Sequence, residues 1–385
     1  MDLVIIDPNT LQRLYIVDQY KSLIWTERYN NYGDFELEIM LTSIDILDKF
    51  KYGYYITTDR FKNVMIVEKI NMNTDVENGN TLIISGRSFE SVLMRRCIYD
   101  QRNLTGNLQT CIQNLLNENV INPTIANRKI DNITFRASTD PSVIGWSVDT
   151  QFTGDSVYDA IQKMCNASSI AFKITLEDDK FVFELYNGVD RSYDNEGIRP
   201  YVVFSPDFDN VIDTEYVLDT ADFKNVGIIA GEGEGAERRK IYIYHNIFPA
   251  TKKKGGGVIT IEWSRNYYGP QPPSDGGTMS GLNRYEVFID ARDISSKTDE
   301  GEMTDLDYCL KLEDRGKEKM LEFVDQEEFQ ANVNTDIMYK YNEDFFMGDI
   351  VEITNGYGIE QSARVTEYIF SHSDNGVEEY PTFTF

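Results

Sequence analysis

Hydrophobic and polar residues alternate most clearly between Trp25 and Ile39, in the stretch WTERYNNYGDFELEI. Phe35, Leu37 and Ile39 fall on one side of this alternation and acidic residues on the other, which is the period of a half-buried β-strand. The asparagines and the glycine of YNNYG are typical turn residues. The pattern therefore predicts a β-hairpin with an acidic outer face.

The spacing of apolar residues then changes along the chain. Short alternating stretches separated by turn residues dominate residues 3–85 and predict strands, with one short helix among them. Farther on, apolar residues recur at helical spacing, most clearly at 108–116 and again at 155–167. Another helix is predicted at 305–325. Its Gly316 indicates a close backbone contact, because glycine destabilises a helix by about 1 kcal/mol relative to alanine.

This order of elements predicts a β-rich α+β fold with two β domains and an inserted α/β domain. The N-terminal β domain covers 1–90, and the spacing of its strands is typical of an antiparallel barrel or sandwich. The α/β insertion domain covers 91–220, and its strands at 202–217 are candidates for returning to the first β domain. The second β domain covers 221–385 and includes the helix at 305–325 and a long glycine- and proline-rich loop at 250–282. The 24 tyrosines and 21 phenylalanines also favour sheets.

Acidic residues outnumber basic ones by 64 to 37, which gives a formal net charge of -27. A polyanion of this size repels phosphate backbones and anionic membranes at long range, so we expect no stable binding to DNA. The lysines at 252–254 stand beside three glycines, which favours a solvated loop tip over a nucleic-acid contact.

The cysteines and the N-terminus indicate a reducing compartment. The four cysteines are far apart and form no CxxC pair, which disfavours a zinc ribbon or a disulfide scaffold and favours buried, reduced thiols. The start MDLVIIDPNT lacks the basic region of a signal peptide, and no segment approaches the roughly 20 apolar residues of a membrane-spanning helix. We expect synthesis in the cytoplasm without a secretion address.

Catalytic and metal chemistry has little support in the sequence. His245 and His372 are the two histidines, both favoured as structural or solvated, and no GxSxG, HExxH or Cys-His signature is present. GEGEG at 231–235 precedes an alternating stretch instead of a helix, so a hairpin turn is favoured over a phosphate-binding loop. One acidic cluster lacks the ligand spacing of a calcium loop and is interpreted as a solvated turn: Asp207, Asp209 and Asp213. We predict no catalytic, cofactor-binding or metal site.

Several stretches of the chain together resemble one family. They are WTERYNNYGDFELEI at 25–39, YNGVDRS at 186–192, VGIIAGEGEGAERR at 226–239, and the run from Tyr308 to Phe329 that leads to DFFMGDIVEI at 344–353. In this order, and over nearly the whole chain, they resemble siphophage tail-hub proteins. These form the tail-associated, baseplate-hub-like family of bacteriophage tails and tail-derived particles.

The resemblance implies a structural virion protein at the tail tip, assembled in the host bacterial cytoplasm. It implies that the two β domains are both barrel-like, with the α/β domain inserted between them. It also implies a homotrimer in which these two barrel-like domains of each copy form a pseudo-six-fold ring around a channel, so that three copies cap a hexameric tail tube. The implied partners are the tail-tube or distal tail protein and the tip, spike or receptor-binding proteins, with DNA only as passing cargo. An acidic channel would repel DNA and let it slide.

Two questions about function follow from the sequence. The candidate channel or interface residues are Glu36, Glu38 and Glu352, because each stands in an alternating strand pattern that places an acid opposite apolar residues.

The alternative function is a cell-wall-directed carbohydrate-binding or hydrolase module of a tail tip. It would use two carboxylates near an aromatic platform, for which the candidates are Trp263, Tyr267 and Tyr268.

Overall fold

A computed structural model describes most of the 385-residue chain. The described residues are 1–75, 79–195, 197–235, 238–245, 263–269, 279–298, 301–323, 326–333, 338–357, 360–374 and 376–384. Within these ranges the fold is β-rich, with several sheets and few helices, as the sequence predicts.

The N-terminal part is built from short strands and one short helix. Its elements are β1 (Leu3–Ile6), β2 (Arg13–Val17), β3 (Ser22–Arg28), β4 (Asp34–Met40), α1 (Ile44–Lys49), β5 (Tyr55–Thr58), β6 (Met65–Ile66), β7 (Lys69–Asn73) and β8 (Thr81–Arg87). Four of these strands form a small sheet in the order β2-β1-β5-β6. The strands β3, β4, β7 and β8 belong to a second, larger sheet.

The next part mixes helices and strands. A 3-10 helix at Phe89–Arg95 precedes β9 (Arg102–Asn107), α2 (Leu108–Leu116), β10 (Ile133–Arg136), α3 (Pro141–Ile144), β11 (Ser147–Phe152), α4 (Val157–Ala167), β12 (Ala171–Glu177) and β13 (Lys180–Tyr186). The helical spacing at 108–116 is confirmed, because the five apolar residues of that stripe on α2 are all buried. The side chain of Ser156 caps α4 by accepting from the backbone N–H of Asp159.

The last part returns to strands around one long helix. Its elements are β14 (Val203–Phe204), β15 (Val211–Asp219), β16 (Val226–Ala230), β17 (Lys240–His245), β18 (Trp263–Asn266), β19 (Glu286–Asp290), β20 (Lys297–Thr298), β21 (Gly301–Glu302), α5 (Asp305–Met320), β22 (Gln326–Val333), β23 (Ile350–Thr354), β24 (Glu360–Ser373) and β25 (Gly376–Thr384).

One large sheet joins the two ends of the chain. Its main path runs β15-β22-β25-β24-β3-β4-β8-β7, and every neighbouring pair on that path is antiparallel. The N-terminal hairpin therefore lies in the middle of a sheet whose other half comes from the C-terminal strands. A smaller sheet in the order β18-β17-β16-β19 packs against α5.

The apolar residues form three main clusters. The first lies within the mixed α/β part and includes Leu108, Ile112 and Phe172. The second lies between the large sheet and the small N-terminal sheet, where Trp25 and Ile5 are fully buried. The third lies between α5 and the sheet β16–β19.

Several sequence predictions change in detail. The helix predicted at 155–167 begins at Val157 instead of Asp155. Most of the predicted loop 250–282 lies outside the described residues, but its part Trp263–Asn266 is a strand paired with β17. The lysines at 252–254 also lie outside the described residues. The domain boundaries, the barrel-like form of the β domains and the inserted α/β domain stay predictions.

Candidate assembly surface

The hairpin predicted at Trp25–Ile39 is formed by β3 and β4. Trp25 lies opposite Phe35 and Leu23 lies opposite Leu37 in its register, and all four side chains are buried on the core face. The turn between the strands contains Asn30, whose positive φ of 52° is tolerated by asparagine better than by most residues. The alternation of the sequence thus gives one apolar and one polar face, as predicted.

The opposite face of the hairpin is open to solvent. Ile24 is exposed and lies opposite Glu36 across the β3–β4 pair. Glu36 in turn lies opposite Ser85 on β8, and Ser85 lies opposite Lys69 on β7. We call this the outer face of the large sheet. Its charged residues on β7, β8, β4, β3, β24 and β25 are Lys69, Arg87, Asp34, Glu36, Glu38, Arg28, Glu367 and Glu378.

Arg28 connects three strands of the outer face. Its Nε atom donates to Glu367 at 2.6 Å and its Nη1 atom donates to Asp34 at 2.5 Å. Burial by itself lowers the pKa of Arg28, but the hydrogen bonds and charges of these two carboxylates outweigh it and raise the pKa. One guanidinium offsets only one of these two negative charges. With five acidic and three basic side chains, the outer face keeps a net negative charge.

The structure brings two of the three predicted site residues together. Glu36 is exposed and lines a shallow groove with Glu68, Lys69 and Arg87. Glu38 is two positions along the same face of β4 and forms an ion pair of 2.8 Å with Lys21. Both residues thus belong to the outer face.

Glu352 lies elsewhere, on β23. Only 6% of its surface is exposed, and its Oε2 atom accepts from the backbone N–H of Tyr193 at 3.3 Å. Its neighbours Val351 and Ile353 belong to the core between the two sheets. In the single chain Glu352 is therefore covered, and a channel or interface role for any of the three glutamates stays a prediction.

Two of the quoted sequence motifs meet at Asp349, which sequence reasoning did not single out. Its carboxylate accepts from the backbone N–H of Val189 at 2.7 Å, from Nε of Arg191 at 2.7 Å and from the backbone N–H of Phe346 at 3.0 Å. Only 2% of Asp349 is exposed. This buried carboxylate joins YNGVDRS to DFFMGDIVEI, and each donor compensates part of its loss of hydration.

A third motif contacts the same place through Tyr29. The backbones of Gly188 and Gly348 approach so closely that a Cβ atom on Gly188 would overlap the carbonyl of Gly348, and one on Gly348 would overlap the ring of Tyr29. Arg364 lies over that ring at 5.0 Å and donates to the carbonyl of Gly348 at 2.7 Å. The hairpin, the α/β part and the C-terminal strands are therefore locked together at one junction.

A second buried acid lies behind the hairpin. Glu27 is on the core side of β3 and its Oε2 atom accepts from the hydroxyl of Tyr341 at 2.7 Å. Burial raises the pKa of Glu27 to about 7, although the Tyr341 hydrogen bond lowers it. The sequence indicates that Glu27 is buried, because Glu27 lies two positions after Trp25 and four after Leu23 and therefore on the same face of the strand as these apolar residues.

The other candidate sites have structural explanations. GEGEG joins the antiparallel strands β16 and β17, so the predicted hairpin turn is confirmed. His245 is fully buried and contacts the carbonyl of Lys224 at 2.8 Å, and His372 contacts the hydroxyl of Tyr20 at 2.8 Å. Cys97 is exposed, which corrects the expectation that all four thiols are buried.

Two kinds of feature are absent from the described ranges. No group of His, Cys, Asp or Glu side chains in these ranges is arranged to hold a metal ion. None of the helices in these ranges has the length and apolar character needed to cross a bilayer. Asp207 and Asp209 are exposed residues of a turn, whereas Asp213 lies on β15.

One residue of the predicted aromatic platform, Tyr267, contacts a carboxylate that is held in its charged form. Glu313 is ion-paired with Lys317 at 2.6 Å and with Arg265 at 3.0 Å, and it accepts from the hydroxyl of Tyr267. Burial alone raises the pKa of Glu313, but these three hydrogen bonds outweigh it and lower the pKa. A general acid needs the opposite shift, so Glu313 is poorly suited to protonate a leaving group.

Comparisons with known proteins agree with this fold. A model of the family described as Siphovirus ReqiPepy6 Gp37-like protein matches residues 2–383. No curated protein gives a significant sequence match. The structure is similar to that of a tail protein from Neisseria meningitidis MC58, with 11% identity, a TM-score of 0.54, and coverage of 100% of this chain and 96% of that chain.

Two further solved structures show the same likeness. Prophage tail protein gp18 from Listeria monocytogenes EGD-e gives 11% identity and a TM-score of 0.52, with coverage of 100% of this chain and 94% of that chain. The 43 kDa tail protein of prophage MuSo2 from Shewanella oneidensis gives 11% identity and a TM-score of 0.54, with 100% and 98% covered. The chain belongs to the family of Siphovirus ReqiPepy6 Gp37-like proteins, and its fold is that of phage tail proteins.

Proposed function

We propose that this protein is a structural, non-catalytic hub of a phage tail, located at the distal end of the tail tube. Three copies form a ring that joins the tube to the tip, spike or receptor-binding proteins and surrounds the channel for DNA. The observation that carries the proposal is the eight-strand path of the large sheet, which has a free edge at each end within the described part of the chain.

The two free edges fit a head-to-tail contact between copies. The path begins at β15 and ends at β7, and its strands are antiparallel throughout. Because the path has an even number of antiparallel strands, its two end strands run in opposite directions. When the copies are related by a rotation about the ring axis, β7 of one copy therefore runs antiparallel to β15 of the next. A head-to-tail contact of this kind generates a closed ring when the rotation between copies closes on itself, and the proposed rotation closes after three copies.

The edge strand β15 has the surface that such a contact needs. Eight of its nine residues pair on one side with β22, and most of the nine are exposed. Ile212 is 65% exposed and Leu218 is 44% exposed. An unprotected apolar edge strand of this kind tends to pair with a strand of another chain. Pairing with a neighbouring copy would satisfy the backbone groups of the edge and cover these side chains.

A three-copy ring would enclose a wide channel. Three eight-strand paths give a barrel of 24 strands, and a strand spacing of about 4.8 Å with a tilt of about 40° gives roughly 48 Å between opposite backbones. Barrels of about 16 to 18 strands already leave an aqueous channel. The proposed ring therefore has room for passing DNA.

The outer face is the proposed channel wall. Its other side packs on the core of each chain, so this face is the one left to solvent. Glu36 and Glu38 would present negative charge to the passing phosphates and prevent tight binding, in accord with a chain charge of -27. Glu352 would act indirectly, by holding the segment at Tyr193 against β23.

The proposal is tested by substituting the free edge. Native mass spectrometry of the wild-type protein should show a trimer, and Leu218→Lys on β15 should give monomers. Leu282→Lys is the matched control, because Leu282 is 95% exposed and lies outside the large sheet. A trimer that survives Leu218→Lys, or a wild-type protein that stays monomeric at high concentration, would contradict the edge-to-edge ring.

A further inference from the structure

Helix α5 carries two different stripes on two of its sides. Tyr308, Leu312 and Met320 are buried in the cluster that α5 forms with the small sheet. A second stripe has helical spacing, i, i+3, i+4 and i+7, and consists entirely of charged residues: Lys311, Asp314, Arg315 and Glu318. This charged stripe faces the α/β part of the chain.

The contacts of the charged stripe are ionic or polar. Lys311 donates to Asp149 on β11 at 2.8 Å. Arg315 donates to the backbone carbonyl of Gln151 on β11 at 3.4 Å. It also donates at 2.9 Å to Asp293, which follows β19 and therefore lies on the same side of the contact as α5. The side chains of Lys311 and Arg315 are only 14% and 13% exposed, so these charges are largely removed from water.

The two acids of the stripe lie in the same contact. Glu318 is 3.9 Å from Lys163 on α4 and 3.8 Å from Arg315. Asp314 lines a narrow gap together with Asp149 and Arg315. The contact between α5 and the α/β part is therefore made largely of charged groups, whereas a contact within a hydrophobic core is made of apolar side chains.

The body made of β16–β19 and α5 has a hydrophobic core of its own. Ile229, Ile243 and Leu312 belong to that core, whereas Ile112 and Phe172 belong to the core of the α/β part. Among the described residues, no apolar cluster has members from both. A body with a separate core and a polar contact surface is expected to move relative to its neighbour.

The chain enters and leaves this body side by side. It enters after β15 through residues 220–225 and leaves through the turn Leu321–Phe323 towards β22, and β15 is paired with β22. The backbone N–H of Lys224 donates to the carbonyl of Phe323 at 2.9 Å. Hinges consist of a few loop or element-terminal residues, and two such connections lie next to each other here at the end of one strand pair.

We propose that the body made of β16–β19 and α5 is hinged at these connections and is held on the α/β part by the charged stripe as an ionic latch. The latch opens when its charges are screened or removed, and the body then swings as a unit with its own core intact. The opening does not depend on the trimeric ring and goes beyond the proposed hub function.

The first test compares lysines on one helix of the wild-type protein. An amine-reactive ester labels Lys311 and Lys319, which are 14% and 34% exposed, and mass spectrometry gives the ratio of the two rates. Raising the salt concentration from about 0.05 M to about 1 M shortens the Debye length to about 3 Å. We expect the labelling of Lys311 relative to Lys319 to rise several-fold and the radius of gyration in small-angle scattering to increase.

The second test removes the partners of the stripe at low salt. The double variant Asp149→Asn and Lys163→Gln removes the partners of Lys311 and Glu318 on the α/β part and should reproduce both changes. Asp131→Asn should not, since Asp131 pairs with Lys129 on the surface. Amide exchange in β16 and β17 should stay as slow as in the wild type. An unchanged labelling ratio, an unchanged radius of gyration, or fast exchange throughout β16 and β17 would each overturn the hinged body.

Discussion

Arg191 donates to Asp349 at 2.7 Å, across 158 positions of sequence, and the pair lies where the α/β part meets the C-terminal strands. The side chains are 15% and 2% exposed. Removing one partner of a largely buried pair leaves the other charge without compensation, so Asp349→Ala should lower the free energy of unfolding by about 3 kcal/mol. Denaturant titration measures this change.

The matched control is Asp131→Ala. Asp131 forms a 3.0 Å ion pair with Lys129 in which both side chains are more than half exposed, so its loss should cost less than about 1 kcal/mol. Equal losses for the two variants would show that Asp349 does not hold the junction together.

Gly316 on α5 should resist replacement by alanine. A Cβ atom there would lie 2.5 Å from Cγ1 of Ile229 and 2.7 Å from Cδ1 of Ile243. Alanine gains about 1 kcal/mol of helix propensity, but overpacking costs about 1–3 kcal/mol, so we expect net destabilisation in a thermal melt. Gly269→Ala, which meets no atom within 4 Å, should be neutral, and a stabilised Gly316→Ala protein would contradict the close helix–sheet contact.

Glu27 should make stability depend on pH. Its pKa is about 7 in the folded chain against an ordinary value of 4.5, so the folded state favours the protonated carboxyl. The stabilising protonation is fully present below about pH 4.5 and is lost as the pH rises to about 7, at a total cost of about 3 kcal/mol.

Glu27→Gln separates this effect from other acids. Glutamine is neutral and still offers an oxygen to Tyr341, so the variant should be more stable than the wild type at about pH 8 and should show little advantage at about pH 5. Chemical denaturation at both pH values gives the difference. The same difference at both values would mean that Glu27 is not protonated preferentially in the folded protein.

Local sequence patterns were sufficient to predict which residues are buried where one face of a strand or helix packs on a single core. The period of two gave the faces of β4, and the helical spacing at 108–116 gave the buried stripe of α2. Gly316 could be predicted to make a close contact because nothing else favours glycine in a helix. The burial of Glu27 is predictable from the period of two as well, since the alternation places Glu27 on the core face of β3.

Long-range relationships were beyond such patterns. The alternation around Glu352 does not show that the segment at Tyr193 covers it, because that second layer comes from a distant part of the chain. The contact of Asp349 with Val189 likewise has no local signal. The pairing of β3 with β24, which makes one sheet from the two ends of the chain, depends on the same kind of distant contact.

Reversing the charge of the outer face should affect assembly or DNA passage more than folding. Glu36 is exposed and Glu38 has a single surface ion pair, so Glu36→Lys with Glu38→Lys should cost less than about 1 kcal/mol of stability. Phage carrying both changes should lose infectivity. The control is Asp45→Lys with Asp48→Lys on α1, outside the large sheet, and equal infectivity of the two phages would count against a channel wall at β4.

The central claim is a ring of three copies whose wall is the eight-strand path from β15 to β7. Electron cryo-microscopy of the assembled tail tests it most directly. We predict a three-fold ring with an open centre, a continuous sheet across each junction between β7 and β15, and Glu36 facing the channel. A different symmetry at this position, or density in which the outer face of the large sheet points away from the channel, would contradict it.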